Sequence, residues 1–212
     1  DLAKQHRDAG LDFTTLHLGT GFESDAEMDA LAAAVIEATA QTGHALHVET
    51  HRATMTQDIR RTIDLIARFP ELPLTLDFSH WYAGHEMTYG GQFAERLAAC
   101  AAVFANVRSI QLRFGSTGAI QAPLDQAAPW FADHLAALDL CLAKLARLEI
   151  TVSCAPELLP ARTEDGRWIG YGAEPEPTDR FSDAVTLSSL AEARSALCGV
   201  DSLDSLKWDA VQ

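Results

Sequence analysis

Residues Leu74–Trp81 read Leu-Thr-Leu-Asp-Phe-Ser-His-Trp, and this segment is the strongest guide to the architecture of the chain. Apolar residues alternate from Leu74, and the segment then turns polar at Asp77, Ser79 and His80. Alternation with a period of two is typical of a β-strand. In α/β barrels the loops after the strands form the face that carries the chemistry. We therefore expect a buried strand that delivers an acid and an imidazole to that face. The competing interpretation is an acid that caps the next turn and a histidine that packs.

The size and charge of the chain narrow the classes of protein to which it can belong. It has 212 residues, with a hydrophobic content of 48% and a charged content of 22%. These values predict one domain, residues 1–212, with one sizeable core. The formal net charge of −14 argues against nucleic-acid and anionic membrane partners, because both need clustered lysine and arginine. We expect no membrane span, since no run is long and apolar enough, and no secretory signal is evident.

The cysteines predict a reduced protein. They are far apart and form no Cys-x-x-Cys pair: Cys100, Cys141, Cys154 and Cys198. Cys100 and Cys141 lie in alanine- and leucine-rich helical patterns, where a buried free thiol is expected. Reduced thiols favour a cytoplasmic location.

Predicted strands alternate with predicted helices along the chain. The strands are Leu11–Leu18, Ala45–Glu49, Leu74–Phe78, Arg108–Phe114 and Glu149–Cys154. The helices that follow them are Asp25–Thr42, Thr56–Phe69, Gln92–Ala105, Trp130–Leu148 and Ala184–Cys198. This order indicates parallel βαβ units, which build either a doubly wound sheet or a barrel. No glycine-rich dinucleotide fingerprint follows a strand, which weakens the nucleotide-binding option. The acidic, serine-rich tail after the last helix is expected to be weakly structured or to pack outside.

Polar residues recur on one face of every predicted strand. Side chains alternate along a strand, so every second residue shares a face. The even positions are mostly Val, Leu, Ile and Phe, whereas the odd positions include Thr15, His17, His47, Glu49, His51, Thr75, Asp77, Ser79, Ser109, Gln111, Arg113, Thr151, Ser153 and Glu157. This pattern predicts a barrel with a polar lumen and an apolar face against outer helices. The competing interpretation is a sheet with one solvated face, which is unusual for parallel strands.

Three carboxylates stand at the ends of predicted strands: Glu49, Asp77 and Glu157. Converging acids repel one another unless a cation lies among them. Oxygen-rich sites suit Mg²⁺ or Mn²⁺, and an added imidazole favours Mn²⁺, Co²⁺ or Zn²⁺. Gln111 can contribute a carbonyl oxygen. We therefore predict a divalent-metal site.

Histidines and arginines surround these acids in the sequence pattern. Candidates for proton transfer or for contacts just outside the metal ligands are His17, His51 and His80. Any one of them alone is more readily explained as a structural histidine than as a catalytic one. Arg52 and Arg113 can hold a substrate oxygen or anion. The alternative is that each arginine forms a salt bridge with the clustered acids.

Four segments together carry a resemblance to a known family: His47–Arg52, Leu74–Trp81, Ile110–Gly115 and Ala155–Pro160. In their order and their placement at strand ends they resemble the xylose isomerase-like barrel superfamily, the sugar phosphate isomerase/epimerase group. The resemblance implies a (β/α)8 TIM-type barrel, of which this chain carries about the last five βα units. The first three strands are then absent from this chain. We expect the missing part to be disordered, deleted or supplied by another polypeptide, or two fragments to pair as a homo-oligomer.

The resemblance also implies the ligands of the metal, one from each of the last four strands. They are Glu49, Asp77, position 111 and Glu157. His80 matches a histidine that faces substrate or a metal-bound water, and Arg113 matches an arginine of the closest relatives. The departure is Gln111, because the family has histidine there. A glutamine oxygen is a weaker ligand, so it implies lower metal affinity, a different metal or lost catalysis.

The leading hypothesis is a metal-dependent isomerase or epimerase for a small polyhydroxy or keto compound. Glu49 and Glu157 would act as general base and acid through an enediolate, and His80 would polarise a substrate oxygen. A lyase or dehydratase on the same scaffold is an alternative, and so is a degenerate barrel that only binds a ligand or partner. The acidic charge makes a metal nuclease the weakest option.

Overall fold

The computed structural model describes residues 2–88, 92–122, 127–150, 152–156 and 206–208. The described strands are β1 (Phe13–Leu16), β2 (Ala45–Glu49), β3 (Leu74–Asp77), β4 (Val107–Leu112), β5 (Val152–Pro156) and β6 (Leu206–Trp208). The described α-helices are α1 (Leu2–Asp8), α2 (Asp25–Thr42), α3 (Ile59–Arg68), α4 (Phe78–Gly84), α5 (Phe93–Cys100) and α6 (Pro129–Arg147). A short 3-10 helix, Phe104–Asn106, leads into β4.

The strands form one parallel sheet in the order β1-β2-β3-β4-β5-β6. This confirms the predicted α/β class and the predicted parallel βαβ units. The order runs in one direction without the reversal that defines a doubly wound sheet. Of the two architectures that the sequence allows, the described sheet is therefore the curled one, a half-barrel.

Side-chain contacts across alternate strands demonstrate the curl. The Thr15 hydroxyl on β1 lies 2.9 Å from the Thr75 hydroxyl on β3, although β2 runs between them. Likewise, His47 Nδ1 on β2 lies 3.0 Å from the Ser109 hydroxyl on β4. Neighbouring strands are about 4.8 Å apart, so alternate strands of a flat sheet would be about 10 Å apart. The odd-numbered face is thus the concave side, as the polar-lumen hypothesis predicts.

The even-numbered face is apolar and lies beneath the helices. Its buried residues include Leu46, Val48, Leu74, Leu76, Ile110 and Leu112. They form one core with buried residues of the helices, among them Met28, Ala32, Leu65, Ala137, Cys141 and Leu145. Burying each large aliphatic side chain contributes roughly 1.5–3 kcal/mol. The predicted contact between the apolar face and the outer helices is confirmed for this part of the chain.

Local capping sets the ends of the helices. Ser24 and Glu27 form a capping box at the start of α2, and Gly43 ends it in the left-handed conformation, so α2 has its predicted bounds. Asp58 accepts a hydrogen bond from Arg61 N at 2.8 Å. That cap makes α3 begin at Ile59, later than the predicted start at Thr56.

The prediction was wrong at the end of β3. We expected a strand through Phe78, with Ser79 on the same face as Asp77. Asp77 Oδ1 instead accepts a hydrogen bond from Ser79 N at 3.0 Å, which caps a helix and ends the strand. The segment Phe78–Gly84 is therefore helix α4. The alternative that the acid caps the next turn is the correct one.

Further boundaries also differ from the predictions, among them those of β1, which spans Phe13–Leu16 instead of Leu11–Leu18. Helix α5 ends at Cys100 instead of Ala105. Strand β5 begins at Val152 instead of Glu149, because Glu149 has a positive φ of 55° and belongs to the turn after α6. Residues 206–208 form β6 beside β5, so this part of the tail is not loose. The predicted helix Ala184–Cys198 lies outside the described residues.

The described cysteines match the sequence-based expectation. Cys100, Cys141 and Cys154 are buried free thiols, and burial raises the pKa of Cys100 to about 12. Among the described helices, none combines the length and the apolar character needed to cross a membrane. The single domain over residues 1–212 stays a prediction.

His134 on α6 is a buried histidine that must be neutral. Its Nδ1–H donates to the Trp130 carbonyl at 2.7 Å, and its Nε2 accepts from Gly115 N–H at 3.1 Å. Because Nε2 accepts, a second proton would break the contact with Gly115. Burial lowers the pKa of His134 from 6.5 to about 4.

The lowered pKa predicts acid sensitivity. Between pH 6.5 and about 4 the unfolded chain binds a proton at His134 that the folded protein does not. The stabilisation is therefore complete above this range and is lost as the pH falls through it. We expect the difference in unfolding free energy between wild type and His134→Gln to shrink by about 2 kcal/mol from pH 7 to pH 5. Urea unfolding measures it, and parallel pH curves would contradict the prediction.

Candidate metal centre

The carboxyl ends of β2 and β3 bring two acids together inside the curl of the sheet. Glu49 is the last residue of β2 and Asp77 is the last residue of β3. Their exposed fractions are 1% and 0%. His80 lies in the first turn of α4, directly after β3, and is 2% exposed. Parallel strands end at one edge of the sheet, which is why residues far apart in sequence meet here.

Asp77 is held in one orientation by its neighbours. Its backbone N–H donates to the Thr50 hydroxyl at 2.9 Å, and Oδ1 accepts from the Ser79 hydroxyl at 2.5 Å. Oδ2 points the other way, 3.3 Å from His80 Nε2 and 3.2 Å from Arg113 Nε. These two approaches lack hydrogen-bond geometry, and among the described residues Oδ2 has no hydrogen-bond partner.

The charges around Asp77 keep it ionised. Burial alone would raise the pKa of Asp77, but His80, Arg113 and Ser79 together outweigh burial and lower that pKa below its ordinary value. The carboxylate is therefore negative at neutral pH, and an ionised carboxylate is the form that binds a metal.

Three imidazoles lie in a row from this acid to the surface. The ring centroids of His80 and His51 are 3.7 Å apart, and those of His51 and His17 are 4.0 Å apart. His17 has a side chain that is 58% exposed, and its Nε2–H donates to Glu49 Oε2 at 3.0 Å. Burial first, and then His80, lowers the pKa of His51 to about 4. Burial, His80 and Arg113 also lower the pKa of His17.

Two overlapping groups could hold a metal ion. The inner group is Glu49, Asp77 and His80, and the outer group is His17, Glu49 and His51. Within each group the ligand atoms lie within 4.8 Å of one another. In the inner group, Asp77 Oδ2 and both ring nitrogens of His80 are buried without a hydrogen-bond partner among the described residues. Buried polar atoms are normally satisfied, so this donor set fits a cation.

The structure brings together part of the predicted site. Glu49 and Asp77 meet, as the sequence predicts, and Gln111 lies beside Asp77 in the register of β3 and β4. Glu157 lies outside the described residues, so its role stays a prediction. Arg113 is ion-paired with Asp77, which is the salt-bridge alternative considered for it. Arg52 is exposed after β2, and its carbonyl accepts from His51 Nδ1–H at 2.5 Å.

Sequence reasoning missed two features of the site. The first is that His80 belongs to the group of possible ligand atoms. The spacing Asp-x-x-His indicates this grouping only if a helix begins at Phe78, whereas the sequence pattern predicted a strand there. The second is Thr50, whose hydroxyl also donates to the Asp77 carbonyl at 3.0 Å. A single threonine after a strand carries no signal that distinguishes it.

Comparison with protein-family models, with curated proteins and with solved structures finds no match for this chain. The resemblance to the xylose isomerase-like superfamily therefore stays a prediction from the segments that carry it. What the structure defines is an α/β protein with a curled parallel sheet and His/Asp/Glu groups at its carboxyl edge.

The inner group predicts metal binding that depends on both acids. We expect Glu49→Gln and Asp77→Asn each to weaken Mn²⁺ and Zn²⁺ binding by at least about 100-fold, because each removes a ligand charge. Glu37→Gln, on the exposed surface of α2, is the matched control and should bind as wild type does. Competition with a chromophoric chelator measures the affinities, and equal affinity in all four proteins would place the metal elsewhere.

Proposed function

We propose that this protein is a divalent-metal-dependent isomerase or epimerase that acts on small polyhydroxy or keto compounds. The observation that carries the proposal is the buried inner group, Glu49 with Asp77 and His80, at the carboxyl edge of a curled parallel sheet. Two buried carboxylates so close together repel unless positive charge lies between them. A metal ion held there would polarise a substrate oxygen and so make a proton on the neighbouring carbon easier to remove.

The architecture proposed is a (β/α)8 barrel of the xylose isomerase-like superfamily, to which this chain contributes the later βα units. Three observations support it: the one-directional strand order, the concave polar face and the apolar face beneath the helices. The remaining strands would close the sheet and remove the edge at β1, since unpaired edges favour association.

The proposed metal is Mn²⁺ or Mg²⁺, with Zn²⁺ and Co²⁺ as further candidates. Glu49 and Asp77 would supply carboxylate oxygens. Gln111, in register with Asp77, and Glu157 are the predicted remaining ligands. A cation held by these residues would supply Lewis-acid polarisation of adjacent substrate oxygens and would stabilise the negative charge that proton removal leaves on them.

The residues of the chain would then have the following roles in proton transfer and substrate binding. Glu49 removes a proton from the substrate carbon, and the hydrogen bond from His17 orients its carboxylate. Glu157 returns the proton from the opposite side. The proposed contacts for substrate oxygens are His17, His51, Arg52 and Arg113.

The reaction class predicts exchange with solvent. We expect the protein, loaded with Mn²⁺ and incubated in D2O with a panel of aldoses, ketoses and their phosphates, to introduce deuterium at the carbon next to the carbonyl. Glu49→Gln should reduce turnover by roughly a hundred- to ten-thousand-fold, as loss of a general base does. Glu37→Gln again serves as the control. Magnetic resonance spectroscopy follows both the label and the products.

Other outcomes of the same experiment would replace the proposal. A product that lacks the elements of water would indicate a dehydratase or lyase on this scaffold. Binding of a sugar without exchange or turnover would indicate a ligand-binding protein. Glu157→Gln should abolish turnover while the circular dichroism spectrum is unchanged, and full activity in that variant would remove Glu157 from the mechanism.

A further inference from the structure

We infer that His80 is itself a metal ligand and supplies the nitrogen donor of a Glu49–Asp77–His80 set. This inference rests on the proposed metal site and goes beyond it. In the family that the sequence resembles, a histidine on the fourth of these strands donates the nitrogen, whereas this chain has Gln111. The assignment replaces the substrate-polarising role that the resemblance implies for His80.

The first argument is the unsatisfied state of the His80 ring. The residue is 2% exposed, and neither Nδ1 nor Nε2 has a hydrogen-bond partner among the described residues. A buried imidazole normally uses at least one nitrogen in a hydrogen bond, because burial without one is unfavourable. A metal ion at Nε2 would provide the missing partner.

The second argument is distance. His80 Nε2 lies 3.3 Å from Asp77 Oδ2. Two ligands bound tetrahedrally at about 2.0–2.1 Å from a zinc ion are themselves about 3.3 Å apart. Asp77 precedes α4 and His80 lies in its first turn, three residues later, so the helix holds both donors on one side. The Ser79 contacts occupy Oδ1, whereas Oδ2 faces His80 Nε2 and the Arg113 guanidinium.

The third argument separates the inner group from the outer one. His17 Nε2–H already donates to Glu49, and His51 Nδ1–H donates to the Arg52 carbonyl. The bond to Glu49 uses the His17 nitrogen that faces this acid, and His51 keeps only Nε2 as a possible ligand atom. In contrast, neither ring nitrogen of His80 has a hydrogen bond within the described residues. The inner position also has two buried acids, while the outer one shares only Glu49.

The nitrogen donor changes which metal the site prefers. Imidazole favours Zn²⁺ and Co²⁺ over Mg²⁺, which prefers oxygen ligands. Among the proposed metals, a site with an imidazole ligand therefore prefers Zn²⁺, Co²⁺ or Mn²⁺ to Mg²⁺.

The test uses X-ray absorption at the zinc edge on the full chain loaded with one equivalent of Zn²⁺. We expect the imidazole scattering pattern in wild type, in His17→Gln and in His51→Gln, and its loss in His80→Gln. Chelator competition should show that His80→Gln weakens Zn²⁺ binding at least about ten-fold and Mg²⁺ binding less. His80→Asn is a second variant in case the glutamine does not fit the buried position.

The outcomes separate this inference from the proposed function. A wild-type spectrum without imidazole, or a pattern that survives in His80→Gln and disappears in His17→Gln or His51→Gln, overturns the role of His80 and leaves the proposed isomerase intact. Imidazole-ligated zinc without turnover of any sugar supports the role of His80 and contradicts the isomerase. Failure of wild type to bind either metal overturns both.

Discussion

The juxtaposition of two buried carboxylates, Glu49 and Asp77, is the constraint around which the described site is organised. Each sits at the end of a strand with almost no exposure, where an isolated charge would be strongly disfavoured. Nearby groups stabilise the two buried charges in different ways. Arg113 pairs with Asp77, Ser79 hydrogen-bonds one of its oxygens, and His17 donates to Glu49. The second oxygen of Asp77 faces both His80 and Arg113, and Asp77 belongs with Glu49 and His80 to a group that could hold a metal ion.

The curl of the sheet makes this arrangement possible. A parallel sheet with one polar face would be unusual if it were flat, because both faces of parallel sheets are normally covered. Curling brings alternate strands within side-chain reach, so Thr15 meets Thr75 and His47 meets Ser109. These polar side chains satisfy one another inside the concave face. Among the described helices, α2, α3 and α6 pack against the convex, apolar face, and the concave face carries the polar side chains.

The acid at the end of β3 connects fold and site through one side chain. One oxygen of Asp77 ends the strand by capping α4, and the other faces the candidate metal position. The cap places His80 one helical turn beyond the acid. Local structure and chemistry are thus coupled, because a residue that could not cap the helix would also fail to orient the two donors. Because Asp77 both caps α4 and faces the candidate metal position, the segment Leu74–Trp81 indicates the fold and the site together.

The amino-acid pattern was sufficient for the parallel α/β class, the order of β1–β5 along the chain, and the polar and apolar faces, which follow from periodicity and capping, both local properties. It also predicted that Glu49 and Asp77 lie at one edge, because parallel strands end on the same side of a sheet. The end of β3, the pairing of β6 and the place of His80 among the possible ligand atoms, instead of beside them, were not accessible in this way. The residues after Asp77 are compatible with either a strand or a helix. The hydrogen bond from Ser79 N–H to Asp77 Oδ1 favours the helix. Which side chains converge depends on curl and register, and these arise only when distant strands pack together.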